Sequence, residues 1–266
     1  MIFLDLFAGI GGFALAAYNA GLKFDMHLFS EINREVIRIY QSRFPEAVNP
    51  GNIQNIKKED LPDGEYLICG GFPCQDISNA GRKRGLDGPE SKLWFEMLRI
   101  IRLVRPRVAI VENVPALAVR GLDRVLRGIA SIGYDAEWEI ISARDAGAPH
   151  LRERLWIVAY PHRKRREKCN FTSCLQEEGF DSGRNFAEIG KRGEVRTVRH
   201  TGWGTEPAVC RVADGLSPEL DFGQYRGWLA FFPPAERRAR LTALGNSIVP
   251  QCAEVVFQQC TDAGFL

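Results

Sequence analysis

A cysteine that follows a short apolar run is the residue of this sequence that most clearly suggests chemistry. Cys74 comes after residues 66–69, which are typical of a buried parallel strand, and after Gly70, Gly71 and Pro73. The glycines are expected to end the strand or to let the backbone approach a ligand, and proline stiffens the turn. A thiolate at this edge of an α/β sheet could act as a nucleophile, although a lone cysteine is more often a core residue.

A carboxylate follows a later apolar run. Residues 107–111 predict a strand that carries Glu112 at its carboxyl end. Because parallel strands end at one edge of a sheet, Glu112 is expected near Cys74. A capping role is the alternative for Glu112, and the residue taken alone does not decide between the two.

Three basic side chains precede another predicted strand. His150, Arg152 and Arg154 come before residues 155–160, and strand alternation would place them on one face. Two guanidinium groups beside a histidine suit the recognition of an anion or a carbonyl oxygen. The alternative is the solvated, charged start of a strand.

The amino-terminal residues have the pattern of a nucleotide-binding turn. Residues 2–7 predict a strand, and Gly9, Gly11 and Ala14 fit the G-x-G-x-x-G/A turn that precedes a helix. Glu31 follows the next predicted strand, 20 residues after Gly11, where an acid accepts the hydrogen bonds of ribose hydroxyl groups. These features fit NAD about as well as S-adenosylmethionine (AdoMet).

The remaining patterns place these residues in an α/β fold. Helices are predicted over residues 33–43, 91–104, 121–132 and 244–260, and a strand is predicted over residues 134–143. A third strand is expected to end at residues 51–53. The long loop 75–92 contains glycines and the three consecutive cations Arg82, Lys83 and Arg84, which favours a lid over an anionic polymer. Residues 161–234 show little periodicity, and ten Lys/Arg against six Asp/Glu between positions 161 and 200 suit phosphate contact.

Composition narrows the classes of protein. The 266 residues are 45% hydrophobic and 26% charged, as in an ordinary globular protein, and no apolar run is long enough to span a membrane. Seven cysteines without disulfide or metal-site spacing predict reduced thiols, no metal and a cytoplasmic setting. The sequence does not distinguish a bacterial cell from a virus-infected host cell as that setting. The acidic residue Asp5 argues against a secretory leader.

In combination, these motifs resemble those of the cytosine-C5 DNA methyltransferases over residues 2–160 and 244–258. The segment Gly71-Phe72-Pro73-Cys74-Gln75 with Ser78 is similar to the nucleophile motif of that family, and residues 5–13 are similar to its AdoMet loop. Glu112-Asn113-Val114, Arg152 with Arg154, and Gly245-Asn246-Ser247 match further motifs. Three departures are Asn52 in place of the Asp that the family usually has near the adenine ring of AdoMet, His150 in place of the usual Gln, and an eroded motif at residues 236–241.

The resemblance implies a fold and a domain organisation. The expected fold is α/β: a Rossmann-like AdoMet-dependent methyltransferase sheet with helices on both faces, plus a small irregular target-recognition domain. Residues 1–160 would form the catalytic AdoMet-binding domain and residues 161–240 the target-recognition region. Residues 241–266 would complete the catalytic domain.

The resemblance also implies an activity, which is transfer of a methyl group from AdoMet to C5 of cytosine in duplex DNA at a specific short sequence. The chemistry would proceed by base flipping and a covalent bond between Cys74 and C6. Glu112 would hold a proton at N3, Arg154 would bind the O2 carbonyl, and Arg152 would support Arg154. The expected partners are double-stranded DNA and a cognate restriction endonuclease, as in restriction-modification systems, and the protein is expected to be a monomer that binds no membrane.

The residues that the resemblance assigns to ligands fall into two groups. The cofactor would contact Phe7, Gly9, Ile10, Gly12, Glu31, Ile32, Asn52, Ile53, Phe72, Pro73, Leu93, Asn246 and Ser247. DNA would contact Gln75, Ser78, Arg82, Lys83 and Arg84.

Three other readings of the sequence remain. The same core motifs occur in a branch that methylates cytosine in tRNA. A catalytically silent nucleic-acid-binding protein on the same fold is the second alternative, and intact Cys74, Glu112 and Arg154 argue against it. An NAD oxidoreductase would leave those three residues unexplained.

Overall fold

A computed structural model describes residues 1–73, 92–148, 150–162 and 247–266, together with the backbone of two short strands between them. The strands are β1 (Ile2–Leu6), β2 (Met26–Ser30), β3 (Tyr66–Gly71), β4 (Val108–Asn113), β5 (Tyr134–Ile141), β6 (Arg154–Pro161), β7 (Ala187–Ile189) and β8 (Val195–Thr197). The helices are α1 (Gly12–Asn19), α2 (Arg34–Arg43), α3 (Leu93–Val104), α4 (Leu117–Arg120), α5 (Leu122–Ser131) and α6 (Pro250–Asp262), with a 3-10 turn at Lys58–Asp60.

Six strands form one mixed sheet in the order β2-β1-β3-β4-β6-β5. The strands β1 to β4 pair in parallel, whereas β6 runs antiparallel to both β4 and β5. The first four strands therefore end at one edge of the sheet, which we call the carboxyl edge. Because β6 is reversed, its first residue, Arg154, lies at this same edge, opposite Ile141 of β5.

Helices cover both faces of the sheet, as the sequence predicted. The face that carries Phe3 and Phe29 packs against α1 and α6, through residues such as Phe13 and Phe257. The opposite face packs against α3 and α5, which contribute buried side chains including Trp94. Both faces are apolar because the central strands are buried on each side, and such strands have nearly continuous apolar sequences.

One predicted strand is absent. Residues 51 and 52 belong to no strand, and a turn begins at residue 53. This part of the chain is joined to β2 by an isolated bridge between Leu28 and Val48 and by a hydrogen bond from Ser30 Oγ to the Gly51 carbonyl oxygen. Asn side chains take the backbone N–H groups that a β-ladder would need: Asn49 Oδ1 accepts from Gly51 and Asn52 Oδ1 accepts from Gln54. The prediction that a strand ends here was therefore wrong.

Three other boundaries also differ from the predictions. The strand β3 continues through Gly71, so the glycines do not end it. The strand β6 begins at Arg154, so His150 and Arg152 precede it, and the argument from strand alternation does not apply to them. The helix α6 begins at Pro250, because Val249 is extended and proline suits the first helical position.

The strands β7 and β8 pair with each other in an antiparallel two-stranded sheet. They lie within the predicted target-recognition region, whose boundaries stay a prediction. In the described ranges, no helix is long and apolar enough to cross a membrane.

Candidate active site

An ion pair stands at the carboxyl edge of the sheet. Glu112 near the end of β4 accepts a hydrogen bond from Arg154 at the start of β6, with 2.8 Å between Oε1 and Nε. Only 12% of the glutamate side chain and 22% of the arginine side chain are exposed. Burial raises the pKa of Glu112 above its ordinary value, and the guanidinium groups of Arg154 and Arg152 offset part of that increase. The carboxyl group is therefore set to hold its proton at a higher pH than an exposed glutamate.

The neighbouring strand leaves no room for a side chain beside this carboxyl group. Gly71 is paired with Glu112 across β3 and β4, and a Cβ atom at position 71 would lie 2.6 Å from Glu112 Oε2. Gly70 is equally confined, since a Cβ there would lie 2.9 Å from the Leu6 carbonyl oxygen. The glycines thus serve close packing of β3 against its neighbours at the site.

The segment before β6 and the segment before α6 meet at the same edge. Arg152 Nη2 donates to the carbonyl oxygen of Ser247 at 2.6 Å. The next residue, Ile248, packs against the glycine turn after β1, where a Cβ at Gly12 would lie 2.6 Å from Ile248 Cγ1. Residues 152, 247 and 12 come from three distant parts of the chain, and the fold brings them together. The half-buried His150 lies just before this contact in the chain.

A buried amide that the sequence analysis did not assign to the site holds the backbone before Cys74. Asn113 Nδ2 donates to the carbonyl oxygen of Phe72 at 2.9 Å, and its Oδ1 accepts from the Val114 N–H group at 2.9 Å. Its side chain is 2% exposed. The middle position of the Glu-Asn-Val motif was the signal that could have identified it.

We expect Asn113→Ala to lower the free energy of unfolding by about 1–3 kcal/mol, because the buried Phe72 carbonyl group loses its donor. Methyl transfer is expected to fall further than stability explains, since the carbonyl lies two residues before Cys74. Chemical denaturation and initial rates at saturating AdoMet measure the two effects. Asn113→Asp is the matched variant, because it keeps the acceptor for Val114 but removes the donor. Wild-type rates in Asn113→Asp would show that the Phe72 contact is unimportant.

The glycine turn after β1 is tied to the acid after β2. Glu31 Oε2 accepts from the Gly9 N–H group at 3.1 Å, and Oε1 accepts from the Ile32 and Asn33 N–H groups at 2.8 and 2.9 Å. The cap of α2 is Asn33 and not Glu31, because Asn33 Oδ1 accepts from Glu35 and Val36. The carboxylate of Glu31 is instead oriented beside the glycine turn by the three backbone N–H groups that it binds.

Other residues predicted to contact the cofactor surround this turn. Ile32 exposes 69% of its surface next to Glu31, whereas Ile10 and Ile53 are buried. Phe7 has a positive φ of 54°, which is an unusual conformation for a bulky residue and marks local strain next to the turn. Leu93 is the first residue of α3 and is half-buried.

A chain of hydrogen-bonded polar groups, which is buried at Asp5 and Tyr40 and exposed at Tyr18, lies beneath the glycine turn. Tyr40 donates to Asp5 Oδ2 at 3.0 Å, His27 Nε2 lies 2.7 Å from the Tyr40 hydroxyl oxygen, and Tyr18 lies 3.2 Å from His27 Nδ1. Burial raises the pKa of Asp5 well above its usual range and lowers the pKa of His27 to about 4. His27 is consequently neutral near neutral pH, and this chain is built from uncharged imidazole and phenol groups around one buried carboxyl group.

Several predicted site residues lie outside the described residues. They are Cys74, Gln75, Ser78, Arg82, Lys83, Arg84 and Asn246. The described residues Phe72 and Pro73 lead to the first of these, and Ser247 follows the last. The structure thus brings Glu112, Arg152, Arg154 and Ser247 together at the carboxyl edge, with Glu31 beside the glycine turn. Among the described residues, no cluster of His, Cys, Asp or Glu could hold a metal ion.

The known proteins that this chain is similar to are methyltransferases. A family model for C-5 cytosine-specific DNA methylases matches residues 1–196. The type II methyltransferase M1.ScrFI of Lactococcus lactis subsp. cremoris is 37% identical over 161 residues, which are 59% of this chain and 41% of that protein. The type II methyltransferase M.HpaII of Haemophilus parainfluenzae is 31% identical over 201 residues, which are 73% of this chain and 54% of that protein. The chain thus spans about half the length of the curated relatives it matches.

A solved structure supports the architecture. The crystal structure of DNMT2 from Spodoptera frugiperda superposes with a TM-score of 0.51 and 21% identity, covering 63% of this chain and 53% of that one. At this identity the similarity concerns the fold, and it confirms the predicted α/β sheet with helices on both faces.

Proposed function

The chain belongs to the C-5 cytosine-specific DNA methylase family, and we propose from this premise that it methylates C5 of cytosine in duplex DNA at a specific short sequence, with AdoMet as the methyl donor. The observation that carries the proposal is the buried pair of Glu112 and Arg154, which stands at the carboxyl edge beside the segment leading to Cys74. A carboxyl group with a raised pKa next to a fixed guanidinium suits the edge of a cytosine ring, which offers N3 as a proton acceptor beside the O2 carbonyl.

The residues of the glycine turn fit AdoMet. A Cβ at Gly9 would have no neighbour closer than the Phe7 carbonyl oxygen at 4.0 Å, so open space lies over the turn. Glu31 is held beside that space and can accept hydrogen bonds from ribose hydroxyl groups, while exposed Ile32 offers an apolar surface to a base. When bound, AdoMet supplies an electrophilic methyl group on a sulfonium.

Glu112 is the proposed proton donor to the cytosine ring. Attack on C6 places electron density on the ring, and a proton held at N3 neutralises it. Burial raises the pKa of Glu112, which favours the protonated carboxyl group, and Arg154 fixes the orientation of this group through Oε1. Arg154 can also direct a donor at the O2 carbonyl, and Arg152 anchors this segment to Ser247.

Cys74 is the proposed nucleophile, on the strength of its motif. Its thiolate would form a bond to C6, which makes C5 nucleophilic, and loss of the C5 proton after methylation would break that bond and release the thiolate. The target carbon cannot be reached in a stacked duplex, so the base must leave the helix at a cost of a few kcal/mol. A lid role for residues 75–92 and DNA contact by residues 161–240 belong to the same proposal.

The test is transfer of labelled methyl from AdoMet to unmethylated duplex DNA, with cytosine methylation mapped at single-base resolution and tRNA assayed alongside. We expect label at C5 in one short sequence context. Label on tRNA alone would keep the chemistry and replace the substrate. No transfer to either, with AdoMet still bound, would favour a silent nucleic-acid-binding protein, and failure to bind AdoMet would refute the proposal.

We expect Cys74→Ala to abolish methyl transfer, because the C6 adduct cannot form, and to leave AdoMet binding unchanged. Calorimetric titration and the labelled-methyl assay measure these quantities separately. Cys260→Ala removes a buried thiol of α6, to which we assign no role, and is expected to remain active. Full activity in Cys74→Ala would contradict the covalent mechanism.

A further inference from the structure

An arginine on α3 holds the turn at which the adenine end of the cofactor is proposed to bind. Arg99 Nη2 donates to the Ile53 carbonyl oxygen at 2.7 Å, and Nη1 donates to the Ile56 carbonyl oxygen at 2.8 Å. The third donor, Nε, is 2.7 Å from Oε2 of Glu96, one turn earlier on the same helix. Each of the three guanidinium nitrogens thus donates one hydrogen bond, and the three contacts together fix the orientation of the planar group.

The turn formed by residues 52–57 has few other connections. Its backbone bonds are local, from Asn55 to Asn52 at 2.8 Å and from Ile56 to Ile53 at 3.4 Å. Among the described residues, Arg99 donates the two hydrogen bonds that join this turn to an element distant in the chain, whereas Lys57 bonds only to Asp60 of the 3-10 turn that follows. The buried side chains of Ile53 and Ile56 pack the turn against the core.

The two partners of Arg99 lie next to the residue expected to select the adenine ring. Asn52 Oδ1 already accepts from the Gln54 N–H group at 3.0 Å, so it offers its remaining lone pair to a ligand in a direction that the turn determines. Its side chain is half-buried. A small rotation of the turn would point that lone pair away from the adenine ring while the protein stays folded.

The same arginine connects this turn to the beginning of α3. Leu93, also proposed to contact the cofactor, is the first residue of that helix, and Arg99 lies six positions later on it. Since a helix is stiff over this length, the guanidinium group keeps the turn and Leu93 in one spatial relation.

We propose that Arg99 is a positioning residue of the cofactor site, which orients the Asn52–Ile56 turn for recognition of the adenine ring of AdoMet. The proposal rests on the proposed function, because the adenine assignment does. Lysine cannot replace Arg99 in this role, since an ammonium group lacks the two parallel donors that reach both carbonyl oxygens. Arg99 itself need not touch the ligand.

The test compares two substitutions at this position with a matched control on the same helix. Arg99→Met keeps the aliphatic stem and removes the donors, and Arg99→Lys keeps the charge. The control is Arg102→Met, which changes an exposed arginine of α3. AdoMet affinity is measured by calorimetry on the protein without DNA. Hydrogen exchange of the Asn55 amide, which donates within the turn, reports the order of the turn without any ligand.

We expect Arg99→Met to weaken AdoMet binding about tenfold, the size of one lost charge-assisted hydrogen bond, and to speed exchange at Asn55. Arg99→Lys is expected to recover less than half of the lost affinity on a logarithmic scale. Arg102→Met is expected to match wild type in both measurements. The KM for AdoMet should rise in Arg99→Met while kcat at saturating AdoMet stays near the wild-type value.

A double substitution separates orientation of the turn from general stability. If Arg99 acts through Asn52, Arg99→Met should cost little further affinity in an Asn52→Ala background. Additive losses, or unchanged AdoMet affinity in Arg99→Met, would overturn the role of Arg99 while leaving the proposed function intact. Absence of AdoMet binding in the wild-type protein would overturn both.

Discussion

Replacing Gly71 by alanine is expected to lower the rate of methyl transfer about 100-fold, the penalty typical of displacing a catalytic group by about an ångström. The added Cβ would stand 2.6 Å from Glu112 Oε2, well inside contact distance. The carboxyl group must move, but its other oxygen is held by Arg154 at 2.8 Å. Movement therefore breaks the arrangement that aims the proton at N3. Initial rates at saturating AdoMet and DNA measure the effect.

A double substitution tests whether the steric conflict with Glu112 is the cause. In a Glu112→Ala background the carboxylate is gone, so Gly71→Ala should cause little additional loss of activity. AdoMet affinity should be unchanged in Gly71→Ala, because Glu31 and the glycine turn after β1 are not altered. A loss of activity in Gly71→Ala that persists at full size in the Glu112→Ala background would show that the glycine serves another purpose.

Substituting Glu112 by glutamine is expected to reduce kcat by about 10²- to 10⁴-fold, the range of general acid catalysis. Glutamine keeps the shape of the side chain and can still accept a hydrogen bond from Arg154. Its amide can donate a hydrogen bond to N3 but cannot transfer a proton to it. The loss should appear in single-turnover methyl transfer, while DNA binding changes little. Glu112→Asp offers a second comparison, since it retains the acid but shortens its reach. Near-wild-type single-turnover rates in Glu112→Gln would contradict the proton-donor role.

The same variant should change the pH profile. The active form of Glu112 is protonated, so wild-type activity should fall as pH rises through its pKa, which burial places above the ordinary carboxyl value. Because Cys74 must be a thiolate, activity should also fall as pH decreases through the pKa of its thiol. The wild-type profile should therefore be bell-shaped. Glu112→Gln should lose the descending side and keep the ascending one. Stability follows the same group: its contribution is present below the unfolded-state pKa and is lost as pH rises through the folded-state pKa.

Much of the fold could be predicted from local pattern. The apolar runs that begin β3 and β4 are continuous because those strands are buried on both faces, and each strand ends in glycines or in Glu112-Asn113 where it reaches the site. Parallel pairing then brings Glu112 and the segment before Cys74 to one edge, since parallel strands end together. Local pattern was therefore enough to predict that Glu112 and residues 71–73 lie at one edge, while the position of Cys74 itself stays a prediction.

The rest depends on contacts between distant residues that no local pattern contains. The sequence of residues 51–53 has the pattern of a strand end. In the structure, Asn side chains accept hydrogen bonds from the backbone N–H groups that pairing with a strand would need. The reversal of β6 is fixed by pairing with β4 and β5, and it places Arg154 at the site edge in a way that alternation could not show. Asn113 was visible in a motif, but its bond to Phe72 was not, because the two residues lie 41 positions apart.

Three cysteines of the apolar layer that includes α1 and α6 are buried, and their burial determines how the protein reacts with thiol reagents. Cys69, Cys252 and Cys260 are buried, and burial raises the pKa of all three, that of Cys252 to about 12. Alkylating reagents react with thiolates, so these three residues should stay silent near neutral pH. A variant carrying Cys169→Ser, Cys174→Ser and Cys210→Ser would leave Cys74 as the one remaining thiol outside this group. The pH dependence of its alkylation would then report the ionisation of the proposed nucleophile directly, before any DNA is added.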